Sequence, residues 1–390
     1  MKITSVSTVP IRMPIPKPLY RGGRAGTKRE WGRMGRATPK RPTPMLEYLI
    51  VRIETDEGVT GIGEAPADIQ FFGETLEEVK ASIDDYLGPL LVGLDPFDRE
   101  HVMYMIDYRD NTCAKSGIDL AIHDLMGKAL GVPASVLIGG SHRKRVKVAI
   151  EIAAGPPDDM AKACVSYMEK GVRAFKPKIG AIPEDDAERL RVIREAVGPD
   201  VSLRADANQG YSPKEAIRLC RLAEKAGVGL EIIEQPVPVW DLSGMALVRR
   251  SVETLVEADE SCYSVNDAIN LVRYEAADVL NIKIAKAGGL YHAKKIAAVA
   301  EGAGLGCVLG TAFGLGPKIA AKLHLAASTE IVTDAVEFTE LGLHGNLLTA
   351  PGDKDLALPL DEDGCLPVPD GPGLGVELDE AKVAEFRFEM

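Results

Sequence analysis

Along the second half of the chain, short apolar runs alternate with longer amphipathic stretches, and a charged residue follows most of the apolar runs. The runs are VRAF before Lys176, VSLRA before Asp206, LEII before Glu234, TLVEA before Asp259 and DVLNI before Lys283. Each is short and rich in β-branched residues or leucine, the pattern of a buried strand. The stretches between them include PEDDAERLRVIREAVG, SPKEAIRLCRLAEKAG and LYHAKKIAAVAEGAG, charged on one face and closing on glycine as helices commonly do. The repeating unit is therefore βα. Further strands are predicted near VKVAIEIA (146–153), GCVLG (306–310) and EIVTDAVEF (330–338). That makes about eight, enough to close a barrel with its active site at the C-terminal strand ends.

The charged residues keep step with this repeat. From Lys178 to Asp206 and on to Glu234 the steps are 206 − 178 = 28 and 234 − 206 = 28, then 259 − 234 = 25 and 283 − 259 = 24. One strand, one helix and two loops consume that length. Lys176, Lys178, Asp206, Glu234, Asp259 and Lys283 are thus expected at the same end of successive parallel strands. A doubly wound open sheet also alternates its elements, but gives no reason to place chemistry on five consecutive strands.

The first 130 residues follow a different pattern. MKITSVSTVPIRMPI alternates like a strand, and MLEYLIVRIETDE and VTGIGEA flank a turn at Glu57–Gly58. Helical patterns then run over 75–91, 98–108 and 114–130, making residues 1–130 an α+β unit. The last helix places Ile118, Ala121, Leu125 and Ala129 on one stripe and leads through PASVLIGG into a barrel over 131–345. Residues 346–390, rich in Gly, Pro and Asp, are expected to return to the first unit.

Composition narrows the class. With 390 residues and 46% hydrophobic positions, the chain suits two domains with a large core. No run of about 18 apolar residues is present, which excludes a spanning helix, and the start lacks the apolar centre of a signal peptide. Six cysteines without CxxC pairing point to a reduced, cytoplasmic protein. A net charge of −12 argues against nucleic-acid or anionic-membrane surfaces. Residues 16–42 invert this charge locally, with nine Lys or Arg against the single acid Glu30. This loop, expected to be flexible, pairs with acidic surface, or closes on substrate with Arg24 reaching a carboxylate and Trp31 helping to exclude water, or serves as a nucleic-acid arm, a reading disfavoured by the strand that precedes it.

Taken with the leading α+β unit, KPKIG (176–180), RADANQGY (204–211), IIEQP (232–236), VEADES (256–261) and NIKIAKAGG (281–289) resemble the mandelate racemase and muconate lactonizing enzyme family of the enolase superfamily. The likeness runs the length of the chain. KxK on one strand with a lone later lysine is the pattern of the muconate lactonizing subgroup, whereas mandelate racemase uses a histidine. None of His292, His324 and His344 lies in the matching context. The resemblance implies an α+β capping domain over a modified TIM barrel, (β/α)7β. It also implies Mg²⁺, with Mn²⁺ as a substitute, and a homo-oligomer.

Beside that likeness, the residues suggest their own chemistry. Asp206, Glu234 and Asp259 offer hard oxygen ligands from three strand ends, which suits Mg²⁺ with positions open for water or a substrate carboxylate. A metal-bound carboxylate makes its α-proton removable, and a base must take it. Lys176 and Lys178 lie two apart on a strand, so they share a face and each ammonium disfavours protonation of the other. The family motif makes Lys178 the base and Lys176 the residue that tunes it. Lys283 arrives from the far side beside Asn281, with Lys286 turned away or into the loop. Asn208 shares the inward direction of Asp206, and Glu260 is expected to partner a lysine.

The fate of the intermediate separates the functions. GTAFGLG (310–316) places Phe313 near the substrate, where a dedicated muconate cycloisomerase is expected to carry an acid-bearing segment. After EFTEL (337–341) there is no DxD pair of the kind dipeptide epimerases of the family use. The expected function is Mg-dependent α-proton abstraction from a small-molecule carboxylate, racemising or epimerising a substituted amino or imino acid, hydroxyproline-like or N-modified. Alternatives are a syn-dehydratase of a hydroxylated amino or imino acid, or a lactonizing cycloisomerase. A barrel kept only for binding would be expected to lack part of the lysine and acid set, and none is missing. The basic loop favours an anionic substrate, while Trp31, Phe71, Phe72 and Phe313 suit a cationic nitrogen.

Overall fold

The computed structural model describes residues 1–14, 45–69, 71–332, 335–338, 340 and 360–390. The loop 16–42 with Arg24 and Trp31, the residues that follow EFTEL, and His344 lie outside the described residues.

The alternating segments of the first unit form an antiparallel sheet of β1 (Ile3–Pro14), β2 (Met45–Thr55) and β3 (Thr60–Ala67), in that order. Against it lies the helix Thr112–Leu130. Glycine permits that approach: a Cβ on Gly61 would fall 2.1 Å from the Ala121 carbonyl oxygen, and one on Gly63 would fall 2.1 Å from that of Gly117. The helix is buried on every side from Cys113 to Gly127, not along a single stripe as its periodicity predicts. Its second side meets the barrel, where Asp119 accepts the backbone N–H of Tyr291 at 3.2 Å.

The barrel strands are β4 (Arg145–Ile152), β5 (Ala174–Pro177), β6 (Ser202–Asp206), β7 (Ile232–Glu234), β8 (Leu255–Ala258), β9 (Val279–Ile282), β10 (Gly306–Leu309) and β11 (Ala335–Glu337). They pair in parallel in chain order from β4 to β10. β11 pairs with β4, and Cys307 of β10 bridges Val332, so the ring closes. Helical segments separate successive strands, which makes the architecture (β/α)7β. Their starts are written in the sequence, as where Ser212 and Glu215, or Ser264 and Asp267, form reciprocal capping boxes. Toward the strand N-terminal ends the interior packs Ile232 with Val279 and Val308, and Ala149 with Ala174 and Ala335.

A final strand, β12 (Cys365–Pro367), pairs antiparallel with β4, and Arg387, after the helix Glu380–Phe386, bridges Ile11 of β1. The C-terminal residues therefore touch both units. All six cysteines are free and buried. Among the described residues no helix is long and apolar enough to cross a membrane.

Candidate active site

Parallel register brings the strand-end residues side by side. Asp206 lies opposite Glu234, Glu234 opposite Glu257, and Glu151 opposite Lys176. The mouth of the barrel is consequently a ring of alternating charge. Lys176 Nζ is 2.5 Å from Glu234 Oε2 and 2.6 Å from Glu337 Oε1. Lys178 Nζ is 2.5 Å from Glu151 and 2.6 Å from Asp206. Across the ring, Asp259 receives Lys283 on Oδ2 at 2.5 Å and Lys286 on Oδ1 at 2.6 Å.

Several expectations change at this level. The sequence expects Lys176 and Lys178 to disfavour each other's protonation, and Lys176 does act that way on Lys178. Burial also opposes the charge, yet Asp206 and Glu151 outweigh both and hold Lys178 above the usual lysine range. Lys286 is not turned away. Strand β9 ends at Ile282, and the helical turn Ile284–Ala287 swings Lys286 back to donate to Asp259 and to the Asn281 carbonyl at 3.0 Å. Glu260 partners amides instead of a lysine, accepting from Asn208 Nδ2 and Gln209 Nε2, each at 3.2 Å. Asn208 and Gln209 hold positive φ values of 39° and 65°, which aims both side chains at Glu260.

Lys178, Lys283, Asn208, Glu151, Thr311 and Phe313 line one cavity of about 100 Å³ that Asp68, Phe71 and Phe72 complete from the first unit. The two lysines come from the ends of β5 and β9, with three strands between them in either direction around the ring. Phe313 sits at φ 35°, in a loop held by the first unit: Glu64 of β3 accepts the N–H of Leu315 at 2.7 Å and that of Lys318 at 3.1 Å. Lys318 in turn donates to the carbonyls of Ala312 and Phe313.

The predicted metal ligands Asp206, Glu234 and Asp259 all face the mouth, but they are not the tightest carboxylate trio. Among the described residues that trio is Glu234, Glu257 and Glu337, whose oxygens lie within 4.8 Å of one another. Lys178 holds Asp206 to one side of the mouth, while Lys283 and Lys286 hold Asp259 to the other. The donors fit a hard divalent cation in their chemistry: Asp206, Glu234 and Asp259 are fully buried carboxylates gathered at one end of the barrel, each now facing a lysine ammonium. Glu234 is pushed well above the usual carboxylate range by burial and by Asp206 beside it. Burial likewise lifts Glu257 and Glu260 to about 7.

Sequence reasoning missed Glu151, Glu257, Glu337, Lys286, Phe71 in its contact with Lys283, and Tyr263. The period itself points to two of them, since 178 − 151 = 27 and 337 − 283 = 54, twice 27. Glu257 precedes Asp259 by two and so shares its inward face.

Known proteins share this frame. The chain matches the family model "Mandelate racemase / muconate lactonizing enzyme, N-terminal domain" over residues 39–139, and "Enolase C-terminal domain-like" over 159–382. It is 36% identical to L-Ala-D/L-Glu epimerase of Clostridium acetobutylicum, covering 87% of this chain and 93% of that protein. It is 33% identical to N-succinyl-L-Arg/Lys racemase of Bacillus cereus, covering 99% and 98%. The solved dipeptide epimerase from Enterococcus faecalis V583, complexed with Mg and L-Leu-L-Tyr, superposes with a TM-score of 0.83 at 32% identity, covering 97% of this chain and all of that one. Chloromuconate cycloisomerases are also among the relatives, at 33–34% identity.

Proposed function

The chain belongs to the mandelate racemase and muconate lactonizing enzyme family, and from that premise we propose that it removes and returns the α-proton of a carboxylate substrate, racemising or epimerising a substituted amino or imino acid. One observation carries the reading: Lys178 and Lys283 line a single cavity from opposite sides of the ring. Relatives named as epimerases and racemases support it, and the lining of Phe71, Phe72 and Phe313 suits an apolar or N-modified substituent.

Asp206, Glu234 and Asp259 would hold Mg²⁺, which when bound takes up the negative charge that builds on the substrate carboxylate as its α-proton leaves. Lys178 is charged beside Glu151 and Asp206, so it must first give up a proton; its neutral Nζ then takes the α-proton from one face, and the C–H bonding pair passes toward the carboxylate. The Lys283 ammonium returns a proton to the other face, and the reverse reaction exchanges the two roles. Lys176, locked between Glu234 and Glu337, stays charged and works against the charge on Lys178. The phenylalanines keep water from the carbon that carries the developing charge. The buried free cysteines support a reducing, cytoplasmic setting.

The test is α-deuteration in D₂O with Mg²⁺, followed by NMR on both stereoisomers of N-succinyl-arginine, N-succinyl-lysine, Ala-Glu and 4-hydroxyproline. Exchange from both stereoisomers of one compound is expected. Lys178→Ala should stop it from one and Lys283→Ala from the other. Exchange from a single stereoisomer with loss of water would point to the dehydratase, and exchange from none would end the reading.

A further inference from the structure

We infer that Phe71, carried by the capping unit, is a positioning residue for Lys283 and makes the placement of that proton-transfer group depend on the cap, while Lys178 is positioned by barrel carboxylates. The inference rests on the two-lysine reading above.

The two ammoniums are held by different means. Lys178 sits between the carboxylates of Glu151 and Asp206, both from barrel strands. Lys283 has one carboxylate, Asp259 at 2.5 Å, and the centroid of the Phe71 ring lies 4.3 Å from its Nζ. An aromatic face attracts an ammonium without accepting its proton or its hydrogen bonds. Phe71 therefore confines the lysine tip while leaving its remaining N–H groups for the substrate. Both Phe71 and Lys283 line the cavity, so the ring and the ammonium meet the same ligand.

The ring is itself fixed. Tyr263 Oη donates to the Phe71 carbonyl at 2.6 Å, Phe71 N–H donates to Asp68 Oδ1 at 3.3 Å, and Phe72 packs edge-on with centroids 4.9 Å apart. Tyr263 stands four residues after Asp259 in the segment following β8. One barrel segment thus sets both sides of the Lys283 site, the carboxylate directly and the ring through the cap backbone. No equivalent tie joins the cap to Lys178 among its described ion pairs.

Three variants test this in the full-length protein with Mg²⁺: Phe71→Leu, which keeps apolar bulk but loses the ring face, Phe71→Tyr, which keeps the face, and Tyr263→Phe, which frees the Phe71 carbonyl. The first measurement needs no substrate: the rate at which formaldehyde and cyanoborohydride methylate Lys283 and Lys178, read by peptide mass spectrometry. Phe71→Leu should speed Lys283 several-fold and leave Lys178 unchanged, with Phe71→Tyr resembling the wild type. An unchanged Lys283 rate would overturn the inference. The second is α-deuteration from each stereoisomer of the compound exchanged by the wild type, the face being assigned with Lys178→Ala and Lys283→Ala. Phe71→Leu should slow the Lys283 side about tenfold and the Lys178 side less than about twofold, Tyr263→Phe should do the same more weakly, and Phe71→Tyr should restore it. Equal slowing of both sides, as a loosened fold would give, rejects the inference. Absence of exchange from every wild-type substrate instead rejects the two-lysine reading, and the methylation rates still decide the contact.

Discussion

Buried acids at the barrel mouth and buried acids around the capping unit are the same residue types held in different ways. At the mouth, Glu234, Asp206 and Asp259 each face a lysine ammonium. Around the cap they hold backbone: Glu64 takes the N–H groups of Leu315 and Lys318, and Asp124 takes those of Ile62 and Leu374 at 2.8 Å each. A lysine can rotate away and leave its carboxylate to another cation, whereas a buried amide that loses its acceptor has nothing to replace it. The first set should therefore govern turnover and the second stability.

The largest effect expected on this contrast is at the mouth. Asp206→Asn, Glu234→Gln and Asp259→Asn should each lower kcat about 10³-fold or more, the scale of losing several kcal/mol of charge stabilisation, with melting temperature held or raised. EDTA should reproduce the loss. Glu257→Gln is the comparator, and retention of most of its activity separates the strand-end set from the tighter trio. If calorimetry shows the three variants unfolding early, the division of labour is wrong.

Next comes Asp124→Ala. It strips acceptors from two buried amides and a partner from Lys128, and should cost about 3 kcal/mol in urea denaturation while kcat per folded molecule is retained. A smaller loss, about 2 kcal/mol, is expected from Gly63→Ala, because the new methyl meets the Gly117 carbonyl and the strand must shift. A loss of activity with unchanged stability in either variant would contradict the contrast.

The smallest effect is one of pH. Burial raises the Glu64 carboxyl to about 7, although Lys318 and two backbone N–H groups pull against it. The folded state therefore keeps this proton over a range where the unfolded chain, near 4.5, has released it. Stability from Glu64 is full below pH 4.5, declines as pH rises, and is gone above about 7. Relative to the wild type, Glu64→Gln should gain stability steadily from pH 4.5 to 7 and then level off. A flat difference across that interval would show that Glu64 is not held neutral. Lys318, drawn down to about 8 by burial, adds its own dependence only above that window.

How much of this was legible follows from what repeats. The six strand-end residues could be read because each βα unit consumes nearly the same length, so chemistry at a shared barrel end recurs at a shared interval. Glu151 and Glu337 escaped because their strands open and close the series. Lys286 escaped because alternation along β9 says nothing about the helical turn after it. Phe71 and Tyr263 lie 192 residues apart in different units, and no local period links them. The helix Thr112–Leu130 shows the same limit, since a stripe predicts one buried side and only the assembled pair of units supplies the second.

Strand β4 has to wait for its neighbours. Its pairing with β5 is available soon after both are made, but Ala335, the partner of Lys147, lies 335 − 147 = 188 residues further along, and Cys365 of β12 further still. At translation rates of about 5–20 residues per second, one edge of the first barrel strand stays open for roughly 10–40 s on the ribosome. Arg145 and Lys147, exposed on that edge, carry like charges that repel a second nascent copy, a common protection of open strand edges. Barrel closure is thus a late event in biosynthesis, and the catalytic ring assembles only after the final strands have emerged.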